Sequence, residues 1–146
     1  MHSQSFPASK ANDIEARLLT ASATTGWLDW IHGELWLFPT GLLRVPLDLT
    51  VTRQHGMGPT VSQDLPSWSR FDEKTFEALI ASKRNRWIPR KQIKKAYLHH
   101  GILTDRLRLE LVEQRTMKFL WFPWDGAWEP LQIALQEWLG NEFVID

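Results

Sequence analysis

The stretch of sequence that decides the fold is residues 88–140, which read IPRKQIKKAYLHHGILTDRLRLELVEQRTMKFLWFPWDGAWEPLQIALQEWLG. Over 106–112, charged side chains alternate with Leu107, Leu109 and Leu111, and this period of two predicts a strand with one buried and one solvated face. A polar turn follows, and residues 117–122 return to strand composition. The spacing predicts an antiparallel hairpin.

The end of this stretch predicts an amphipathic helix that begins at Asp125. Its apolar positions follow steps of three, four and three residues and are Trp128, Leu131, Leu135 and Trp138. Such steps place the four side chains on one stripe of a helix. Gly140 stands where a C-cap glycine ends a helix. A helix of this kind needs an apolar surface to cover, and the predicted sheet offers one.

Upstream, the sequence predicts more short strands. A hairpin is expected between 34–38 and 42–45, because Pro39-Thr40-Gly41 joins a proline that presets φ to a glycine that accepts positive φ. Other predicted elements are strands over 27–32, 47–52, 87–89 and 93–98, a short helix or entering strand over 13–20, and loops over 55–69 and 99–105.

A second helix is predicted over 71–83. Asp72 is suited to cap its N-terminus. Phe71 and Phe76 flank this cap at the spacing of a hydrophobic staple, and Asn85 can end the helix. Together the elements predict a mainly β protein of the α+β class. We expect a small antiparallel barrel or two bent sheets, with a C-terminal capping helix and one inserted helix.

Composition excludes several classes of chemistry. The 146 residues suffice for one domain with a core, the formal net charge is zero, and there is no cysteine. Disulfides, thiol catalysis and cysteine-ligated zinc are therefore excluded. Residues 1–12 are polar, which predicts a disordered lead without a secretory signal. No apolar run approaches the ~20 residues of a membrane span, and we expect a cytoplasmic protein.

Two stretches of the chain resemble the PH-like superfamily, and within it the GRAM and bacterial PH-like branch. The first is GELWLF at 33–38 with LLRV at 42–45, which is similar to a glycine–leucine–aromatic hairpin of that branch. The second runs from IPRKQIKK at 88–95 to DGAW at 125–128, with Phe119 between them.

The resemblance implies a seven-stranded barrel with a C-terminal capping helix, formed by residues 13–146 as a single domain with an insertion at 53–86. It also implies a non-catalytic binding or scaffolding module that acts through protein–protein interaction or self-association. Asp29, His32 and Glu34 lie where phosphoinositide-binding PH domains usually carry a basic motif. We therefore transfer no lipid-binding residues.

A basic segment over 83–95 is the first candidate site, and it contains no acidic residue. Its candidate binding residues are Arg84, Arg86, Trp87, Arg90, Lys91, Lys94 and Lys95. The segment predicts an anion site for a phospholipid headgroup or another phosphate ligand, for nucleic acid, or for an acidic partner. Nucleic acid is the less expected of these partners, because the net charge is zero. The alternative is a solvated helix end followed by a strand edge.

The second candidate site is an aromatic surface formed by Phe122 and Trp124. If Trp121 faces the core, Phe122 faces solvent, and Trp124 lies in the turn before the terminal helix. Such a pair could bind a partner chain, or it could pack beneath the helix.

Patterns for catalysis and metal binding are weak. His99-His100 lacks the spacing of known metal sites, and no nucleophile elbow is present. We expect no enzymatic activity, metal or cofactor. A small-ligand carrier or an enzyme that uses a barrel cavity remains an alternative, supported by the high aromatic content.

Overall fold

The structure of the chain, a computed structural model, describes residues 13–24, 33–46 and 67–146. These ranges contain nine strands and two α-helices. The strands are β1 (Ile14–Ala23), β2 (Gly33–Phe38), β3 (Gly41–Pro46), β4 (Ser67–Phe71), β5 (Arg86–Pro89), β6 (Ile93–His100), β7 (Asp105–Leu111), β8 (Thr116–Trp121) and β9 (Phe143–Ile145). The helices are α1 (Glu73–Ala81) and α2 (Trp128–Leu139).

The strands form two sheets. The first has the order β4-β1-β2-β3-β5 and the second the order β8-β7-β6-β9, in which only β9 pairs in parallel. At one corner the sheets are joined by a bridge between Thr24 and Leu120, whose N–H groups each donate to the other's carbonyl at 2.9 and 2.8 Å. The prediction of a mainly β protein with two sheets and a C-terminal helix is confirmed.

The main core lies between the two sheets and α2. Alternation along β7 buries Leu107, Leu109 and Leu111 and leaves the charged residues between them on the opposite face. From α2, Leu131 and Leu135 are fully buried in this core, while the two tryptophans of the predicted stripe pack at its margin. The predicted hairpins β2–β3 and β7–β8 both form.

A second apolar cluster covers the opposite face of the first sheet. On β2, Trp36 and Phe38 point away from the main core and meet Phe71. Helix α1 closes this cluster with Leu79 and with Phe76, whose ring lies 5.1 Å from that of Phe38. Both faces of the first sheet are therefore buried in the described part of the chain.

The predicted cap of α1 is confirmed. The Thr75 N–H donates to the Asp72 carboxylate at 2.7 Å. The rings of the predicted staple, Phe71 and Phe76, both lie against Phe38. The helix ends at Ala81, before the predicted boundary.

Several predicted boundaries are wrong. Residues 67–69, predicted as loop, belong to β4, because Ser67–Phe71 pairs with β1. The predicted loop over 99–105 is shorter, since β6 runs to His100 and β7 begins at Asp105. For residues 13–20 the sequence allowed either a short helix or a strand; from Ile14 onward they belong to β1. The predicted strands over 27–32 and 47–52, the lead 1–12 and the loop over 55–66 lie outside the described residues.

Two further predictions are corrected by local geometry. Gly41 is not among the positive-φ glycines. A Cβ at this position would instead lie 2.3 Å from the Ile88 carbonyl oxygen, so glycine allows β5 to approach. Helix α2 begins at Trp128 rather than Asp125, which lies in a 3₁₀ turn, Pro123–Asp125. Gly140 has a φ of 55° at the C-cap, as predicted.

In the described ranges, neither helix combines the length and the apolarity that crossing a bilayer would require.

Candidate functional site

A cleft of about 980 Å³ opens between the first sheet, the turn after α1 and the start of β8. Six cationic residues from three separate stretches of the chain line it: Arg44, Lys83, Arg84, Arg86, Arg115 and Lys118. None of the described lining residues is acidic; the others are Ile80, Asn85, Trp87, Thr116 and Met117. We refer to this site as the cationic cleft.

The turn after α1 places Lys83 and Arg84 at the cleft. The Asn85 side-chain amide donates to the Leu79 carbonyl at 3.0 Å, and the Asn85 N–H donates to the Ser82 carbonyl at 3.2 Å. These bonds satisfy a carbonyl of the last helical turn that would otherwise lack a partner. Asn85 therefore does help to end the helix, as predicted, although it lies four residues after the last helical residue, Ala81.

Pairing between β3 and β5 places two cations directly opposite each other. Arg44 and Arg86 are cross-strand partners, so their side chains project from the same face. The Arg44 guanidinium is held there, because its Nη2 donates to the Ala23 carbonyl at 3.2 Å and its Nε lies 2.8 Å from where a Cβ on Gly33 would be. Like charges in this position cost a few tenths to about 1 kcal/mol.

The β7–β8 hairpin supplies the remaining cations of the cleft. The Leu111 N–H donates to the Arg115 carbonyl at 2.8 Å, which fixes the turn. The Arg115 guanidinium lies 3.8 Å from the Glu113 carboxylate, but both side chains are more than half exposed, so this ion pair is weak. Lys118 is exposed on β8.

The structure divides the predicted basic segment among several surfaces. Arg84 and Arg86 reach the cationic cleft. The guanidinium of Arg90 lies 5.8 Å from the Trp138 ring, and Lys95 lies 5.4 Å from the Tyr97 ring on the second sheet. Lys91 and Lys94 are exposed elsewhere.

Trp87 lies between the cleft and the second apolar cluster. Most of its ring contacts are with the second apolar cluster, at 5.8 Å from Phe38 and 5.3 Å from Phe76, although it reaches one wall of the cleft.

Three cations of the cleft were not predicted from the sequence, namely Arg44, Arg115 and Lys118. Each lies in a hairpin that the sequence does predict: Arg44 is partly buried on β3, Arg115 lies in the turn before β8, and Lys118 is exposed on β8. Only the pairing of distant strands brings them to the turn after α1. Local sequence therefore carries no signal that distinguishes them from other exposed cations.

Phe122 and Trp124 lie at the surface and stack on each other. Their ring centroids are 4.7 Å apart and their planes are 6° from parallel, with Trp124 75% exposed. Asp125 fixes this turn, since its carboxylate accepts hydrogen bonds from the hydroxyls of Thr20 and Ser22 on β1. The side chain predicted to start α2 thus ties the turn to the first sheet.

The two histidines point to different carboxylates. The His100 Nδ1 atom lies 2.7 Å from Asp105, which is buried, and the His99 Nδ1 atom lies 3.3 Å from Asp146. Within 13–24, 33–46 and 67–146, no three potential metal-ligating side chains come together.

No protein-family model matches the chain, and no curated protein matches it significantly. The PH-like resemblance thus stays a prediction from residues, and we infer the function from the geometry of the cleft.

Proposed function

We propose that the chain is a non-catalytic binding module of the PH-like kind and that it binds phosphate-bearing anions in the cationic cleft. The observation that carries this proposal is the convergence of six cations, with no acid among the described lining residues. The chain as a whole has a net charge of zero, so this cluster arises from the folding of the described residues and not from an excess of basic residues.

The chemistry of the lining favours phosphate. Four of the six cations are arginines, whose planar guanidinium groups form two parallel hydrogen bonds to phosphate oxygens. Thr116 and Asn85 add neutral donors beside them. A lipid headgroup and a soluble phosphate ester share this chemistry, and the experiment below separates them.

The paired arginines give the proposal an energetic basis. An anion between Arg44 and Arg86 would convert a repulsive cross-strand pair into two attractive contacts. The space between the two sheets is less suited to a ligand, since its inward positions carry tightly buried leucine, phenylalanine and tryptophan side chains. The cleft at the margin of the sheets is thus the better place for one.

Calorimetric titration with inositol hexakisphosphate at low salt tests the site. We expect binding by the unaltered protein and its loss in the double variant Arg84→Glu with Arg86→Glu. The matched control is Lys91→Glu with Lys94→Glu, which makes the same change in net charge within the same segment but outside the cleft. Equal loss in both variants, or no binding by the unaltered protein, would overturn the proposal.

A second arm identifies the source of the phosphate. Flotation with vesicles of increasing anionic phospholipid content, at low and at physiological salt, reports binding to a membrane surface. Vesicle binding that inositol hexakisphosphate competes away and that the Arg84 and Arg86 variant lacks would assign the cleft to headgroups. Binding of the soluble anion alone would assign it to a soluble phosphate ester.

A second candidate function, self-association, is favoured by the apolar end of the molecule. Because Asp105 pairs with Trp121, the loop carrying Ile102 and Leu103 lies at the same end as Phe122 and Trp124. Ile102 is 96% exposed, and the stacked ring pair is a self-complementary surface for a second copy. Sedimentation velocity should then show a dimer that Trp124→Ser dissociates; a monomer at all concentrations would contradict this reading.

A further inference from the structure

We infer that the anion bound by this protein is a flexible linear polyanion, single-stranded nucleic acid, which runs from the cationic cleft around β8 onto the outer face of the second sheet. This inference rests on the proposed function of the cleft and specifies the class of its ligand. It is carried by the charge of that face, by its continuity with the cleft and by the geometry of their junction.

The outer face of the second sheet is rich in cations. Alternation along the strands turns the leucines of β7 into the core and the residues between them outward. The register of β6, β7 and β8 then brings together an outward set, Lys95, Tyr97, His99, Arg106, Arg108, Glu110, Thr116, Lys118 and Leu120. Four of these are lysine or arginine and one is acidic.

A second pair of like charges stands at the centre of this face. Arg108 lies directly opposite Lys118 on one side and Tyr97 on the other. The Arg108 guanidinium lies 3.9 Å from the centroid of the Tyr97 ring, and the Lys95 ammonium lies 5.4 Å from the same ring. A hydrogen bond with the Tyr97 side chain raises the pKa of Lys95. Two cations of this face, Arg108 and Lys95, therefore lie at one aromatic ring.

The acids of this face lie mainly at its β9 edge. Asp146 lies 3.3 Å from His99, and Glu142, just before β9, acts electrostatically on Lys95. On the β7–β8 side, Glu110 lies 3.9 Å from the Arg108 guanidinium, and a partly exposed pair at this distance is worth little in water. The surplus of cations therefore lies on β7 and β8, where Arg106, Arg108 and Lys118 can meet phosphates.

Lys118 makes the cleft and the face continuous. It lines the cleft and also stands opposite Arg108 on the outer face. Its neighbour Met117 points to the other side of β8, where it packs against the main core and lines the cleft. The cations therefore lie on both sides of the first half of β8, the end strand of the second sheet, whose other half is bridged to Thr24 through Leu120.

This geometry favours a flexible linear ligand over a flat membrane surface. A bilayer presents one plane and can contact the outer face of the second sheet or the mouth between the sheets, but not both sides of β8. A single strand of nucleic acid can bend around the edge. The described cations offer contacts to phosphates and no array of base-reading amides, so binding should not depend on sequence.

Fluorescence anisotropy with labelled oligothymidylates of about 4 and about 16 nucleotides tests the inference, since these lengths bracket the usual site sizes of single-strand-binding folds. We expect the longer strand to bind at least about tenfold more tightly, because one further hydrogen bond to a charged phosphate is worth about that factor. In the variant Arg106→Ser with Arg108→Ser, the plot of log affinity against log salt should become shallower by about 1.4, or about 0.7 for each phosphate that is no longer neutralised.

Two controls make the outcomes distinguishable. The variant Lys91→Ser with Lys94→Ser should bind the long strand normally, and the Arg106 and Arg108 variant should still bind inositol hexakisphosphate. Arg106→Ser alone, on a partly exposed side chain outside the cleft, repeats the test with an expected change in slope of about 0.7.

Each contrary result has a definite meaning. If the protein binds inositol hexakisphosphate but binds the long and the short strand with equal affinity, this inference is overturned and the proposed function stands. Vesicle binding without oligonucleotide binding would do the same and would make a lipid surface the partner. Failure of every anion to bind would overturn both.

Discussion

At the residue scale, Arg44 and Arg86 are the side chains that a protein selected only for stability would not place together. They are direct partners on β3 and β5, and the described lining around them has no acid. Arg86→Ser should therefore stabilise the ligand-free protein by a few tenths to about 1 kcal/mol, because it removes a cross-strand repulsion.

Urea unfolding of the two proteins measures this difference. Lys94→Ser is the matched control. It removes one exposed cation that has no like charge opposite it on β7, and it should change stability by less than about 0.5 kcal/mol. A destabilised Arg86→Ser protein would mean that the two arginines already share a favourable arrangement, and the energetic basis for a bound anion would fail.

Asp125 is a second residue whose environment decides its role. Its carboxylate accepts from the hydroxyls of Thr20 and Ser22, and the Phe122 N–H donates to the Ser22 hydroxyl at 3.3 Å. Asp125→Ala should cost about 1.5–3 kcal/mol, the range for hydrogen bonds to a charged group. Asp125→Asn keeps one acceptor oxygen and should cost less. Thermal unfolding that ranks the two variants in the opposite order would contradict this account of the turn.

At the element scale, α2 tests how the two-sheet core is closed. Leu135 is fully buried among the core side chains, whereas Ile133 on the same helix is 63% exposed. Leu135→Ala should cost about 2–5 kcal/mol through lost burial and the cavity it leaves. Ile133→Ala should cost less than about 0.5 kcal/mol. Chemical denaturation distinguishes them, and similar losses would mean that α2 docks on a different face.

The elements that the sequence predicts well are those with a strong period. Alternating leucines predict β7, and Leu131 and Leu135 predict α2, because burial repeats every two residues in one case and every third or fourth in the other. The boundaries that fail depend on distant partners. β4 is strand because it pairs with β1, and the start of α2 moves because Asp125 is engaged by β1.

At the scale of the whole molecule, the cationic cleft exists only after folding. Arg84 and Arg86 belong to a basic run that the sequence displays, and they are the part of the site that could be predicted. Arg44, Arg115 and Lys118 join them through long-range pairing, while Arg90 and Lys95 of the same run are carried to other surfaces. Sequence composition records a neutral chain and cannot record this segregation of charge.

The measurement that tests the central claim most directly is a titration of the isotope-labelled protein with inositol hexakisphosphate, followed by amide chemical shifts. Binding in the cleft predicts that the largest changes fall on residues 83–86 and 115–118, which are far apart in sequence and meet only there. Lys91 and Lys94, equally basic but outside the cleft, should move little. Changes concentrated at 91–94 or around Trp124, or no saturable change at all, would contradict the account.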